Sequence, residues 1–346
     1  MKKIVLIFLF TVSILNSFAF HTKGGWMYYE YLGPGTNDPT KLKYKIVLLA
    51  YMVYNPSPQQ LDQQVNLTFF NGGNNQFIQT ISAPLVAQPI IKNCPGCNPC
   101  IVNSPLIQYM YATYETTVEL SSSPDGYTIS YQRCCRIAGI INIVNSSAVG
   151  ETWTIKIPGN INGGTFPQNS SPKFIPNDTA VICTNSFFKF DFTAIDPDGD
   201  SLTYDFAPAY EGGTSGNPNP ISASPPPYFS VQYNGIFSEF QPLGPNVTIN
   251  PNTGVVSGIA PGIGEYVLTA VVKEYRNGVY LAESRKSLHI SVASCNLLAA
   301  ELLPDNNCDG FTKTFKNNLP TPSNASFAWD FGVAGITTDV SNLQNP

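Results

Sequence analysis

An all-β fold, arranged as tandem β-sandwiches, is what this 346-residue chain predicts, on three observations. Apolar runs of strand length recur along it, alternating or continuous, bounded by clusters of Gly, Pro, Asn and Ser. No stretch of ten or more residues keeps the i, i+3, i+4, i+7 spacing of an amphipathic helix. Charged residues are only 12% of the chain, about half the usual share, while 27 Gly, 29 Pro and 12% aromatics supply turns and cross-strand packing.

The first nineteen residues have the three parts of a secretory signal: basic Lys2 and Lys3, an apolar core from Ile4 to Leu15, and the small-x-small site Ser17-Phe18-Ala19. That core is shorter than the roughly 20 residues a membrane-spanning helix needs, and Ser13, Asn16 and Ser17 interrupt its end. The mature chain is therefore expected to be exported, with no transmembrane segment. Losing Lys2 and Lys3 takes the net charge from −5 to −7. An acidic chain with scattered lysines offers no footprint for nucleic acid or an anionic membrane.

A β-rich, disulfide-containing domain is expected over 20–158. Its strands are Lys43 to Tyr54, the alternating Val65, Leu67 and Phe69 before the turn Asn71-Gly72-Gly73-Asn74, then Tyr109 to Leu120, Tyr127 to Gln132 and Thr152 to Ile157. A linker rich in Asn, Gly, Pro and Ser follows over 159–178. The second sandwich is expected over 179–295, with strands Phe187–Phe192, Leu202–Phe206, Glu265–Tyr275 and Val279–Val292. The last two are joined through Arg276-Asn277-Gly278, a strong hairpin signal. Gly212 to Pro227 reads as a surface loop, and 296–346 as the incomplete start of a third domain.

All eight cysteines (Cys94, Cys97, Cys100, Cys134, Cys135, Cys183, Cys295 and Cys308) lie beyond the signal, and an even count in an exported chain implies disulfides. Zinc or an iron–sulfur centre at Cys94, Cys97 and Cys100 is the competing reading. An oxidising compartment argues against it, as does the presence of only His21 and His289 to complete a site. Because bridging adjacent residues strains the backbone, Cys134 and Cys135 are expected to take separate partners, with the Cys94–Cys100 cluster as the obvious place.

The run Asp196-Pro197-Asp198-Gly199-Asp200 lies between two alternating apolar stretches, so it is a loop between strands. Three carboxylates at alternate positions repel one another without a counter-ion, and Ca²⁺ accepts six to eight oxygens in a tolerant geometry. An EF-hand would need a glutamate twelve residues from the loop's start, where Ala207 stands. The bland alternative is that Asp and Gly simply form turns. Even if bound, calcium is expected to stiffen the module rather than catalyse anything.

Ala194 to Tyr204 fits the Ala-x-Asp-x-Asp-Gly-Asp-x-Leu-x-Tyr signature of the cadherin-like modules of bacterial surface proteins, and the second block resembles that family. Asn252 to Gly258 and Gly264-Glu265-Tyr266 are similar to its turn and to the start of its penultimate strand. The resemblance implies an immunoglobulin/cadherin-like sandwich and calcium ligands at Asp196 and Asp198. An acidic residue ending the penultimate strand falls on Glu274, so the expected metal set is Asp196, Asp198, Asp200 and Glu274. Residues 21–295 also resemble the amino-terminal region of PKD-domain-containing, gliding-motility-associated surface proteins of Bacteroidetes type. That likeness rests on His21-x-x-Gly24-Gly25-Trp26, Cys134-Cys135-Arg136, Asn169-Ser170-Ser171-Pro172 and Lys273-Glu274-Tyr275-Arg276-x-Gly278. Phe327-Ala328-Trp329-Asp330-Phe331-Gly332 is similar to a PKD-domain strand. Many such proteins end in a domain sorted by type IX secretion, and none is seen here.

Catalytic motifs are missing: there is no Gly-x-Ser-x-Gly, no His-Glu-x-x-His and no phosphate-binding glycine loop. His289 stands between Leu288 and Ile290 and reads as structural. The expectation is a non-catalytic, calcium-stiffened adhesin or structural module of the outer cell surface, the N-terminal part of a larger protein, with a glycan or protein ligand. The alternative is a carbohydrate-binding module or accessory region of a secreted glycan-processing protein, stacking sugars on Trp26, Tyr28, Tyr29 and Tyr31, although aromatics in strands more often pack in the core.

Overall fold

The computed structural model describes residues 21–54, 61–92, 101–102, 106–160, 167–175, 181–294, 296–297, 326–333 and 335–346. The signal segment and Cys94, Cys97, Cys100, Cys295 and Cys308 lie outside the described residues. The protein is all-β, with 53% of it in strands. Among the described residues the helical structure is a single 3₁₀ turn, Ser146–Ala148.

Ten strands lie on one path of the main sheet. In spatial order they are Thr22–Pro34, Leu42–Val53, Gln108–Leu120, Phe77–Ala87, Gln64–Asn71, Tyr127–Arg133, Glu151–Ile157, Val279–Ala293, Gly264–Arg276 and Ser201–Phe206. Gly264–Arg276 occupies one edge of Val279–Ala293 along nearly its whole length. On the other edge the first and seventh strands meet: Gly24 to Trp26 face Leu288 to Lys286, and Ile155 faces Ser284. A hydrogen-bonded hairpin joins the two long strands at Asn277 and Gly278, whose φ angles of 53° and 77° are the left-handed pair that such a tight turn requires.

Two cores flank the strand Leu42–Val53. Tyr44, Ile46, Leu48, Ala50 and Met52 pack into one of them, with Met27 and Tyr29 from the first strand. Val47, Leu49 and Tyr51 pack into the other, beside Trp26. Successive side chains of a strand point to opposite faces, so a strand buried on both faces reads as an unbroken apolar run, as Ile46 to Val53 does. The second core is completed by Phe188, Phe190 and Phe192, Tyr204 and Phe206, and Leu268, Leu288 and Ile290. Phe187–Asp191 pairs with Val255–Ile259 in a separate three-stranded sheet over this core. The expected division at 159–178 is thus crossed both by strand pairing and by shared packing. Segments 20–158 and 179–295 use the two faces of the same strands.

Gly24 and Gly25 make that sharing possible. Their φ angles are +115° and +141°. A Cβ on Gly24 would lie 2.1 Å from the carbonyl oxygen of Ser287, and one on Gly25 would lie 2.2 Å from that of Leu49. Only glycine lets the first strand lie this close to both neighbours.

The cysteine expectation needs correction. Cys134 and Cys135 are bonded to each other. Both side chains are buried, and the dipeptide is anchored on either side: the Cys134 N–H donates to Pro218 O at 2.8 Å, and Cys135 O accepts from Thr22 N at 3.0 Å. The dipeptide thus lies between the first strand and the 211–220 loop. Cys183 is also disulfide-bonded. In the region expected to open a PKD-like domain, Trp329–Asp330 pairs with Val340–Ser341.

Candidate metal centre

The loop 196–200 is wound around the Asp196 carboxylate. Its Oδ1 accepts the backbone N–H groups of Asp198 and Asp200, both at 2.9 Å, and Gly199 turns the chain at φ +82°. Asp200 leads into Ser201–Phe206, which pairs with the far end of Gly264–Arg276, so that Leu202 faces Glu274. A bulge between Glu274 and Tyr275 interrupts the pairing with Val279–Ala293 at this point.

Asp196, Asp200 and Glu274 each bring a carboxylate oxygen to within 4.8 Å of the others. Glu274 is 1% exposed; its oxygens meet only the Asn169 and Asp200 side chains, in contacts short of normal hydrogen-bond geometry, and the buried Oδ2 of Asp196 has no hydrogen-bond partner. Burial, aided by the Asp196 and Asp200 charges, pushes Glu274 up to about 9. Desolvation, joined by the neighbouring aspartates, also raises Asp196. Burial acts on Asp200 in the same direction, but Arg276 outweighs it and holds Asp200 below its ordinary value. The Arg276 guanidinium grips Asp200 with Nε at 2.8 Å from Oδ1 and a terminal nitrogen at 2.6 Å from Oδ2.

Asp198 is placed differently. Its Oδ2 accepts the Ser170 N–H at 2.7 Å and lies 3.4 Å from Arg276. Asn169 accepts from Arg276 at 2.5 Å and donates to the Tyr29 hydroxyl at 3.0 Å, while the Ser170 and Ser171 hydroxyls accept the Tyr31 and Tyr29 N–H groups. Asp198, Arg276 and Asn169-Ser170-Ser171 therefore form a clasp that fastens the aspartate loop to the first strand. Asn169 and Arg276 appear in the sequence motifs, but nothing in their spacing announced that they would meet.

A second ionic cluster is buried where His21-x-x-Gly24 meets Cys134-Cys135-Arg136. Arg136 is fully buried. It donates to Gly150 O at 3.1 Å and Tyr210 O at 3.0 Å, and lies 3.4 Å from Glu151. The terminal nitrogen that faces Glu151 is also 3.5 Å from His289 Nε2. Arginine can only donate, so Nε2 accepts and the neutral imidazole carries its proton on Nδ1. Burial, reinforced by the Arg136 and Lys23 charges, holds His289 well below its ordinary value. A polar residue between Leu288 and Ile290 was the sequence signal for this cluster.

The aromatics considered for sugar stacking are placed otherwise. Trp26 is 3% exposed and donates to the Tyr51 hydroxyl, Tyr29 is buried, and Tyr28 and Tyr31 are half-buried. Trp26 and Tyr28 also line a mainly apolar cleft with Tyr111, Phe174 and Lys173.

No family model and no curated protein matches the chain. Among solved structures it is similar to the titin Ig tandem domains A164-A165, at 10% identity over 79% of this chain and 98% of that one, with a TM-score of 0.18. A likeness at that score carries no residue-level argument.

Proposed function

We propose that the chain is a non-catalytic structural or adhesive module of an exported surface protein, stiffened by Ca²⁺ held by Asp196, Asp200 and Glu274. One observation carries this reading: Asp196, Asp200 and Glu274 each bring one carboxylate oxygen to within 4.8 Å of the others, where the buried Glu274 oxygens and Asp196 Oδ2 make no hydrogen bond of normal geometry. Burying a carboxylate unpaired costs several kcal/mol, and a hard divalent cation supplies the missing partner through oxygen ligands. Arg276 neutralises one of the nearby charges. It therefore weakens the attraction for a second cation, in keeping with the roughly 10⁻⁴ to 10⁻³ M affinities of extracellular calcium modules. The bound ion would supply charge neutralisation. Glu274 and Asp196 would join the end of a long strand to the loop that the clasp ties to the first strand. Export and surface location rest on the signal-like N-terminus.

Calorimetric titration of the chelator-treated chain with Ca²⁺ tests the site. A submillimolar to millimolar isotherm that disappears in Glu274→Gln supports the reading. No heat in the wild type, or an isotherm unchanged in the variant, refutes it.

A further inference from the structure

The segment 211–229, which contains the Gly212 to Pro227 stretch that reads from the sequence as a surface loop, is seated on the sheet by a series of fixed bonds. Glu211 N pairs with Phe229 O at 2.9 Å, closing its ends on each other. Ala223 N donates to Thr68 Oγ1 at 2.9 Å, Ser224 N donates to Gln132 Oε1 at 3.0 Å, and the Tyr228 hydroxyl bonds Ser130. The Thr152 hydroxyl donates to Glu211 O, and the disulfide-bonded Cys134 donates to Pro218 O. A Cβ on Gly212 would lie 2.3 Å from Thr152 Oγ1, so the loop packs as closely as its backbone permits. This is a pre-organised wall, not a tether.

A cleft of about 380 Å³ opens within it, inside the size range of small-ligand sites. Glu211, Thr214, Asn217 and Ser224 on its lining carry carboxylate, hydroxyl and amide groups, Gln132 is committed to Thr152 and Ser224, and Tyr228 and Phe229 supply rings. Phe229 is 81% exposed, an apolar ring held in water at the rim. Among the described residues that line the cleft there is no lysine, arginine or histidine, and Glu211 is the only charge. Phosphate, sulfate and carboxylate ligands therefore find no counter-charge here. A purely apolar ligand would desolvate the polar groups without replacing their hydrogen bonds. The chemistry that satisfies both surfaces is a neutral, polyhydroxylated ring: its C–H face covers Phe229, and its hydroxyls bond Glu211, Asn217 and the loop backbone.

We propose that this cleft is a binding site for a neutral saccharide. It goes beyond the calcium reading and shares no residue with the carboxylate cluster, so the two can fail separately.

The test is to probe an array of neutral, anionic and amino-bearing glycans with the full chain, with and without chelator. Any neutral hit is then titrated against Phe229→Ala, Asn217→Ala and, as an exposed apolar control, Ile263→Ala. The expected result is retention of neutral glycans irrespective of chelator. Each cleft substitution should weaken affinity about tenfold or more at an unchanged melting temperature, and Ile263→Ala should match wild type. Retention of anionic or amino-bearing glycans alone, no retention at all, or neutral binding indifferent to both cleft substitutions overturns the proposal.

Discussion

Both ionic clusters of this fold are built around one arginine and a buried glutamate, yet they stand in opposite electrostatic positions. Around Arg136 the charges balance: among the described residues Glu151 is the one carboxylate paired with it, His289 is held neutral, and two backbone carbonyls take up further guanidinium hydrogens. Around Arg276 four carboxylates gather, and Glu274, which like Glu151 lacks a hydrogen-bond partner, has no cation paired with it among the described residues, as Glu151 has in Arg136. A balanced cluster can be closed inside the protein and used as a rivet. A cluster with surplus acid needs either a proton or a cation, and its stability becomes conditional on the solution. The same two residue types give a permanent fastening in one place and an adjustable one in the other.

The largest difference should appear on removing the arginines. Arg136→Ala leaves Glu151 charged, buried and alone, and should cost about 3–5 kcal/mol in urea denaturation. A loss under 1 kcal/mol would show that Arg136 is not the fastening described. Arg276→Gln should cost less in chelator, because the Arg276 side chain is 23% exposed whereas that of Arg136 is fully buried. It should also enlarge the stabilisation given by calcium, since one competing positive charge is gone. A smaller calcium effect in this variant would break the comparison.

The clusters should respond to pH with opposite signs. Folded Glu274, pushed up to about 9, holds a proton that the unfolded chain releases above its ordinary value of 4.5. In chelator this contribution therefore falls as pH rises through that window. Folded His289 refuses the proton that the unfolded chain accepts below 6.5, so its contribution falls as pH drops under that value. Melting temperatures across pH 5 to 9 should lose their alkaline decline in Glu274→Gln and part of their acid decline in His289→Gln. Unaltered pH profiles in both variants would contradict the assignments.

Asp198 gives the smallest and most discriminating effect. The cadherin-like resemblance makes it a ligand; its hydrogen bond to Ser170 makes it part of the clasp. Asp198→Ala should lower basal stability by about 1 kcal/mol while leaving the calcium-induced rise in melting temperature largely intact. Loss of that rise would return Asp198 to the ligand set.

Strand content was legible because turns and periodicity act locally. Leu42–Val53, Gln108–Leu120 and the hairpin through Asn277-Gly278 lie within a residue or so of where the apolar runs and turn formers put them. The shared middle strands were not read, although their signal was present. Ile46 to Val53 is continuously apolar, and such a run reports burial on two faces without saying which distant segments cover them. The aspartate loop announced its carboxylates. Arg276, which holds Asp200 charged, stands 76 residues from it and 107 from Asn169, in hydrogen bonds that only the sheet topology creates. The pairing of Cys134 with Cys135 was missed for the same reason: the elements that enclose it, Thr22 and Pro218, are remote in sequence.

The central claim is that the surplus acid around Glu274 makes the fold calcium-dependent, and thermal melting at pH 7.5 tests it most directly. Tenfold saturation of a site present only in the native state is worth about 1.4 kcal/mol, or a rise of a few degrees in a protein of this size. Millimolar Ca²⁺ should give that rise in the wild type, chelator should reverse it, and Mg²⁺ should reproduce it poorly. Glu274→Gln should melt above the wild type in chelator and show no further gain with calcium. Coincident wild-type melting curves with and without calcium would contradict the account and leave Glu274 a protonated core residue.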